Sequence, residues 1–259
     1  MRCERNGHHL GVPIVQTALW SRTMIRSKLR MLALAALCML CCPLPVSAQP
    51  TTPLPKDVID AWWAAGFRHT PARPGGLPWF EPGGLFDENA FAAVPVPEQP
   101  FALTLGWWEP YGRNYKFNGL KGLARFKSLQ KLYLHGNVAD VEMKSIAGLT
   151  NLQFLSASET SVTDTGLKEM ANLTRLHTLN LGYTKITDTG LKELAELTEL
   201  RTLNLSRTKI TDAGLRHLAG MKKLHTLDLR ETSLTGVGLK HLAGHAELRD
   251  LNLGEAKLT

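Results

Sequence analysis

Three histidines offer the first candidate chemistry. His217 and His241 occupy the same place in consecutive copies of a 24-residue pattern, and His245 follows His241 by four residues. Three imidazoles on one helical face make a zinc ligand set. His245, however, stands in a column otherwise held by Leu149, Leu173, Leu197 and Met221, so it reads as a substituted core position and no metal is expected. The strings H-E-x-x-H, G-x-S-x-G, G-x-x-x-x-G-K and G-x-G-x-x-G do not occur, which removes the common zinc-peptidase, hydrolase, phosphate-cradle and dinucleotide signatures. All four cysteines (Cys3, Cys38, Cys41, Cys42) precede residue 49. The remainder therefore has no disulfide, no thiolate nucleophile and no cysteine zinc site. Neither a catalytic residue nor a cofactor is expected.

Binding chemistry is better represented. Lys131, Phe154, Thr178, Thr202, Thr226 and Asp250 fall in one column, and Tyr133, Ser156, Asn180, Asn204, Asp228 and Asn252 in the next. Two further columns contain Arg230, then Tyr183, Arg207 and Glu231. Tyrosine and arginine in a polar field are the usual anchors of a protein interface. The expected contact patch is Tyr133, Phe154, Tyr183, Arg207 and Arg230, with packing of Tyr133 and Phe154 beneath an N-terminal cap as the competing role. A column of Lys121, Lys144, Lys168, Lys192, Arg216 and Lys240 reads as a solvated helix face, since acids such as Glu169 and Glu193 follow it.

These columns exist because the chain repeats. Leucines recur at 152, 176, 200, 224 and 248, and again at 155, 179, 203, 227 and 251. A third set is Ala157, Leu181, Leu205, Leu229 and Leu253, and an earlier copy is Leu129, Leu132 and Leu134. Each unit changes period once. Leu200-x-x-Leu203-x-Leu205 ends in the alternation of a strand. Gly214-Leu215-x-x-Leu218-Ala219-x-Met221-x-x-Leu224 has the threes and fours of a helix. Thr163-Asp164, Thr187-Asp188 and Thr211-Asp212 precede such stretches and supply capping oxygens. No unit can bury both of its faces alone, whereas stacked units bury them continuously.

The pattern L-x-x-L-x-L-x-x-[N/C]-x-L from Leu129 onward resembles the leucine-rich-repeat family, and Ile-Thr-Asp-x-Gly-Leu is similar to its cysteine-containing subclass and to bacterial secreted relatives. The resemblance implies an α/β solenoid, a short right-handed horseshoe with parallel strands concave and helices convex. It also implies a protein- or peptide-binding module. The usual Asn or Cys is replaced by Thr160, Thr184, Thr208 and Thr232, with Asn137 first and Ala256 last. A threonine hydroxyl can still satisfy loop backbone.

The flanks differ. Residues 1–48 contain six of the 30 Lys and Arg but one of the 23 Asp and Glu, leaving 24 against 22 beyond them. The basic balance is thus local, and no nucleic-acid partner is expected. A basic stretch over 24–30, an apolar run over 31–42, prolines, then Val46-Ser47-Ala48 read as a secretory signal. Cleavage after Ala48 implies a secreted or periplasmic protein, touching membrane only if the segment is retained. Residues 49–55 read as a linker, 56–117 as an irregular aromatic-rich cap, and 118–259 as about six repeats, the last incomplete. An aromatic groove around Trp107 and Trp108 is a minor alternative within the cap. Leu103-Thr104-Leu105 is expected to pair with residues 131–134 as a first strand. The last unit predicts an open C-terminal edge, giving self-assembly, or truncation, as the alternative role. An enzyme with a second core in 56–117 is the remote one.

Overall fold

A computed structural model describes residues 53–73, 76–82, 92–106, 120 and 122–256. The expected export segment, Trp107, Trp108, Lys121 and residues 257–259 lie outside the described residues. Among the described residues, nine strands form one sheet in chain order. They are β1 Phe67–Thr70, β2 Trp79–Pro82, β3 Phe101–Leu105, β4 Leu129–Leu134, β5 Phe154–Ser156, β6 Thr178–Asn180, β7 Thr202–Asn204, β8 Thr226–Asp228 and β9 Asp250–Asn252. Strand β1 pairs antiparallel with β2, and every later pair is parallel. The register joins equivalent leucines: Leu155 with Leu179, then Leu203, Leu227 and Leu251. Within the sheet core, Leu152, Leu155, Leu176, Leu179, Leu200, Leu203, Leu224 and Leu227 are fully buried.

The segments with helical spacing form helices of only one to two turns. They are α2 Asp140–Met143, α3 Asp164–Lys168 and α4 Asp188–Glu193, with 3-10 turns at Gly214–Leu218 and Val237–Leu242. The expected helix across Gly214–Leu224 is thus a short 3-10 turn. Its core contacts come from Leu215 and Leu218, both fully buried, and positions three apart eclipse in a 3-10 turn. Three threonine caps form as expected: Thr163, Thr187 and Thr211 each accept from the N–H two residues on, at 3.2–3.3 Å.

A second use of the Thr-Asp pairs links the units. Asp164 accepts from the Thr187 N–H at 2.8 Å and hydroxyl at 2.6 Å, and Asp140 and Asp188 hold Thr163 and Thr211 alike. The carboxylate fits because the next unit carries glycine there. A Cβ on Gly190 or Gly214 would lie 2.3 Å from the preceding aspartate Oδ1. The threonine column also forms as expected. Thr160, Thr184, Thr208 and Thr232 are buried, and each hydroxyl donates to the carbonyl three residues back at 2.6 Å.

The described part of the cap is more regular than expected. Helix α1, Lys56–Ala64, ends where Gly66 turns the chain at φ 87° and Phe67 opens β1. Strand β3 pairs with β4 as expected, Leu103 beside Leu132 and Thr104 beside Tyr133. Trp62 is fully buried, stacks on Phe80 at 4.2 Å, and approaches Phe67, Phe101 and Phe126. Its indole N–H donates to the Pro95 carbonyl at 2.9 Å. Cap aromatics and repeat leucines therefore share one core. The second, independent core required by the enzyme alternative is not formed among the described residues.

Candidate functional site

Four of the five expected contact residues form two groups on the strand side, and Arg230 stands apart from both. Tyr133 on β4 and Phe154 on β5 project from the sheet, half-buried, with ring centroids 4.6 Å apart. Trp79 on β2 stacks on the other face of this pair, 4.8 Å from Tyr133 at an interplanar angle of 20°. Its indole N–H donates to the Thr104 hydroxyl at 2.9 Å. The row runs Trp79, Tyr133, Phe154, so cap packing and exposure on the strand face coexist at these rings. Sequence reasoning missed Trp79. Its signal was the concentration of five of the six tryptophans between Trp62 and Trp108.

The second group lies where the chain leaves the strands. Tyr183 is 43% exposed, and the Arg207 guanidinium stacks over its ring at 4.7 Å. Arg207 Nε also bonds Glu231 Oε1 at 2.5 Å, and that bond holds the guanidinium above its ordinary pKa. Glu231 was not among the expected anchors, although it occupies the same column one unit later. Arg230 does not join this run. It folds onto its own strand, where Nε and Nη2 reach the Asp228 carboxylate at 2.8–3.0 Å, and that carboxylate raises its pKa. Both arginines are thus neutralised in place, which favours a mixed polar contact over capture of a bare anion.

Backbone geometry sets this column apart. Glu159, Tyr183, Arg207, Glu231 and Glu255 all adopt left-handed φ of 52–61°, while the equivalent position in the first unit is Gly136 at φ 76°. A side chain in this region costs roughly 1–3 kcal/mol. The turns are held by bonds between units: Glu159, Tyr183, Arg207 and Glu231 donate through N–H to the carbonyls of Gly182, Ser206, Arg230 and Gly254 at 2.8–3.0 Å.

Between the two groups lies a polar floor of Thr178, Asn180, Thr202 and Asn204. Asn180 and Asn204 use Oδ1 to accept from Gly182 and Ser206 N–H at 3.1 and 2.8 Å. Among the described residues, no hydrogen bond uses their side-chain amide donors. The three-histidine arrangement does not assemble. His245 is buried, and its ring nitrogens face the Leu242 and Leu218 carbonyls at 3.1 and 3.0 Å. It fills a core position, as its column predicts.

Residues 172–195 match a family described as Leucine Rich repeat, and residues 198–258 match one described as Leucine rich repeat. None of the curated proteins compared matches the sequence. Among solved structures, internalin C2 from Listeria monocytogenes is similar at 19% identity and TM-score 0.48, over 81% of this chain and 91% of that one. A second internalin from the same organism is similar at 24% identity and TM-score 0.39, over 61% and 56%. The LRR ectodomain of the receptor kinase SOBIR1 from Arabidopsis thaliana is similar at 18% identity and TM-score 0.36, over 48% and 64%.

Proposed function

We propose that this leucine-rich-repeat protein is an exported, non-enzymatic module that binds a protein or peptide through its strand face, the concave side of the solenoid. The left-handed column carries the reading. Glycine would sit at those five turns without strain, as it does at Gly136, yet the chain places Glu, Tyr, Arg, Glu and Glu there. Strain retained in consecutive units is accounted for if the projecting side chains work in a contact. Tyr183 and Arg207 supply the anchor, the Trp79–Tyr133–Phe154 row the apolar end, and Asn180 and Asn204 the donors between them. Export rests on the basic, apolar and small-residue order of residues 24–48.

The test is selection of displayed peptides on the full chain, followed by affinity measurement on Tyr183→Ala, Arg207→Ala and Tyr133→Ala. Enriched peptides should lose at least tenfold with the first two substitutions. Binding that survives all three removes the proposed face.

A further inference from the structure

The strand face is asymmetric in charge. One column on it reads Lys131, Phe154, Thr178, Thr202, Thr226, Asp250, and the sheet register joins its members pair by pair from β4 to β9. Its two charges have opposite signs and stand at opposite ends. Five strand spacings separate them, about 24 Å at roughly 4.8 Å each. Between them lie one aromatic ring and three threonines.

Neither charge is used within the protein. Arg207 bonds Glu231, and Arg230 bonds Asp228. Among the described residues, by contrast, half-buried Lys131 has no carboxylate and exposed Asp250 no cation within salt-bridge distance. Asp250 accepts a long bond, 3.4 Å, from the Thr226 hydroxyl. Glu159 and Glu255 project from the left-handed turns that follow β5 and β9, so one lies toward each end and they do not cancel the difference.

The surroundings of the two charges differ as well. Lys131 stands among rings: Phe154 is its partner on β5, Tyr133 follows two residues on, and Trp79 stacks on Tyr133. Asp250 has Thr226 as its partner on β8. A ligand cannot join this sheet as a strand between them, because β4 to β8 each have a neighbour on both sides. It must touch side chains, and the column that offers them crosses the strands.

We infer that the peptide of the proposed contact lies across the strands in one direction, with an acidic residue beside an apolar one at Lys131 and a lysine or arginine at Asp250. Opposite charges across an interface fix register and suppress wrong partners. An extended chain advances about 3.3 Å per residue, so the two ligand charges stand roughly seven residues apart. The inference rests on the peptide-binding reading above and adds the ligand's sequence pattern and its direction.

The experiment selects random twelve-residue peptides, displayed on phage, on the full chain and measures synthetic copies by fluorescence anisotropy. Selected peptides should carry Asp or Glu and Lys or Arg about seven residues apart. Lys131→Glu and Asp250→Lys should each lower affinity about tenfold. Reversing the charge of the matching peptide residue should restore each loss, which a merely structural defect would not allow. Lys131→Gln should lose about two- to fivefold and serves if Lys131→Glu fails to fold. Arg249→Gln, which removes a cation next to Asp250 in the chain, should not weaken binding. Peptides that lose affinity with Tyr183→Ala yet bind the Lys131 and Asp250 variants as they bind the parent overturn the inference and leave the proposed face standing. Peptides indifferent to Tyr183→Ala as well, or no enrichment at all, overturn both.

Discussion

Substituting Asp212 by Asn should destabilise the repeats at neutral pH and have little effect in acid. Its carboxylate accepts four bonds from the next unit: the Thr235 N–H at 3.0 Å and hydroxyl at 2.7 Å, and the N–H groups of Gly236 and Gly238 at 3.2 and 2.8 Å. These donors, with the Thr235 hydroxyl contributing most, lower its pKa from 3.8 to about 2. At about 1.4 kcal/mol per pH unit, the full shift corresponds to roughly 2.4 kcal/mol. Asp212 is half-exposed, so screening reduces the realised amount to about 1 kcal/mol. Because the folded-state pKa is depressed, this stability is present above the unfolded value and is lost as pH falls from about 4 through 2. Asp212→Asn should therefore lower urea stability by about 1 kcal/mol at pH 7, or a few degrees in Tm, and by little at pH 2. Hydrogen exchange at the Gly236 and Gly238 amides should accelerate at neutral pH. Asp188→Asn is the internal control, since among the described residues its carboxylate holds the two donors of Thr211 alone and should cost less. Stability unaffected at pH 7, or a deficit of the same size at pH 2, would refute the reasoning.

Gly190→Ala should destabilise by roughly 1–3 kcal/mol in urea although alanine favours helix, because its methyl would collide with Asp164 Oδ1; a stabilised variant would mean that the aspartate yields at no cost. Thr208→Val should lose about 1–2 kcal/mol by leaving the Leu205 carbonyl without its buried donor, measured the same way. Trp79→Ala should remove the stack on Tyr133 and expose the cap to limited proteolysis before the repeats; an unchanged cleavage pattern would show that the indole does not hold the cap.

The repeating half of the fold was legible because stacking turns each sequence column into a spatial one. The leucine sets became strand register without a shift from β5 to β9, and Thr184 and Thr208 took the backbone-satisfying place expected of them. The aspartate-to-threonine links were not legible, since a residue such as Asp164 serves its own turn and the next unit at once. Only the close stacking at Gly190 reveals the second partner. The choice between α and 3-10 turns was also hidden, because leucines three apart serve either. At the proposed contact face, Tyr183 and Arg207 were found as columns of projecting side chains, but the left-handed backbone beneath them leaves no mark in residue type. The folding of Arg230 onto Asp228 and the stacking of Trp79 on Tyr133 depend on side-chain directions that spacing does not fix.

The central claim is that the left-handed column is kept for contact and not for stability. The most direct test replaces Tyr183 and Arg207 together by glycine and measures unfolding and peptide binding on the same preparation. Relief of strain should offset the lost ring–guanidinium and Glu231 contacts, leaving stability within about 1 kcal/mol of the parent, while affinity for selected peptides falls at least tenfold. A variant that loses several kcal/mol of stability yet binds those peptides as before would contradict the account.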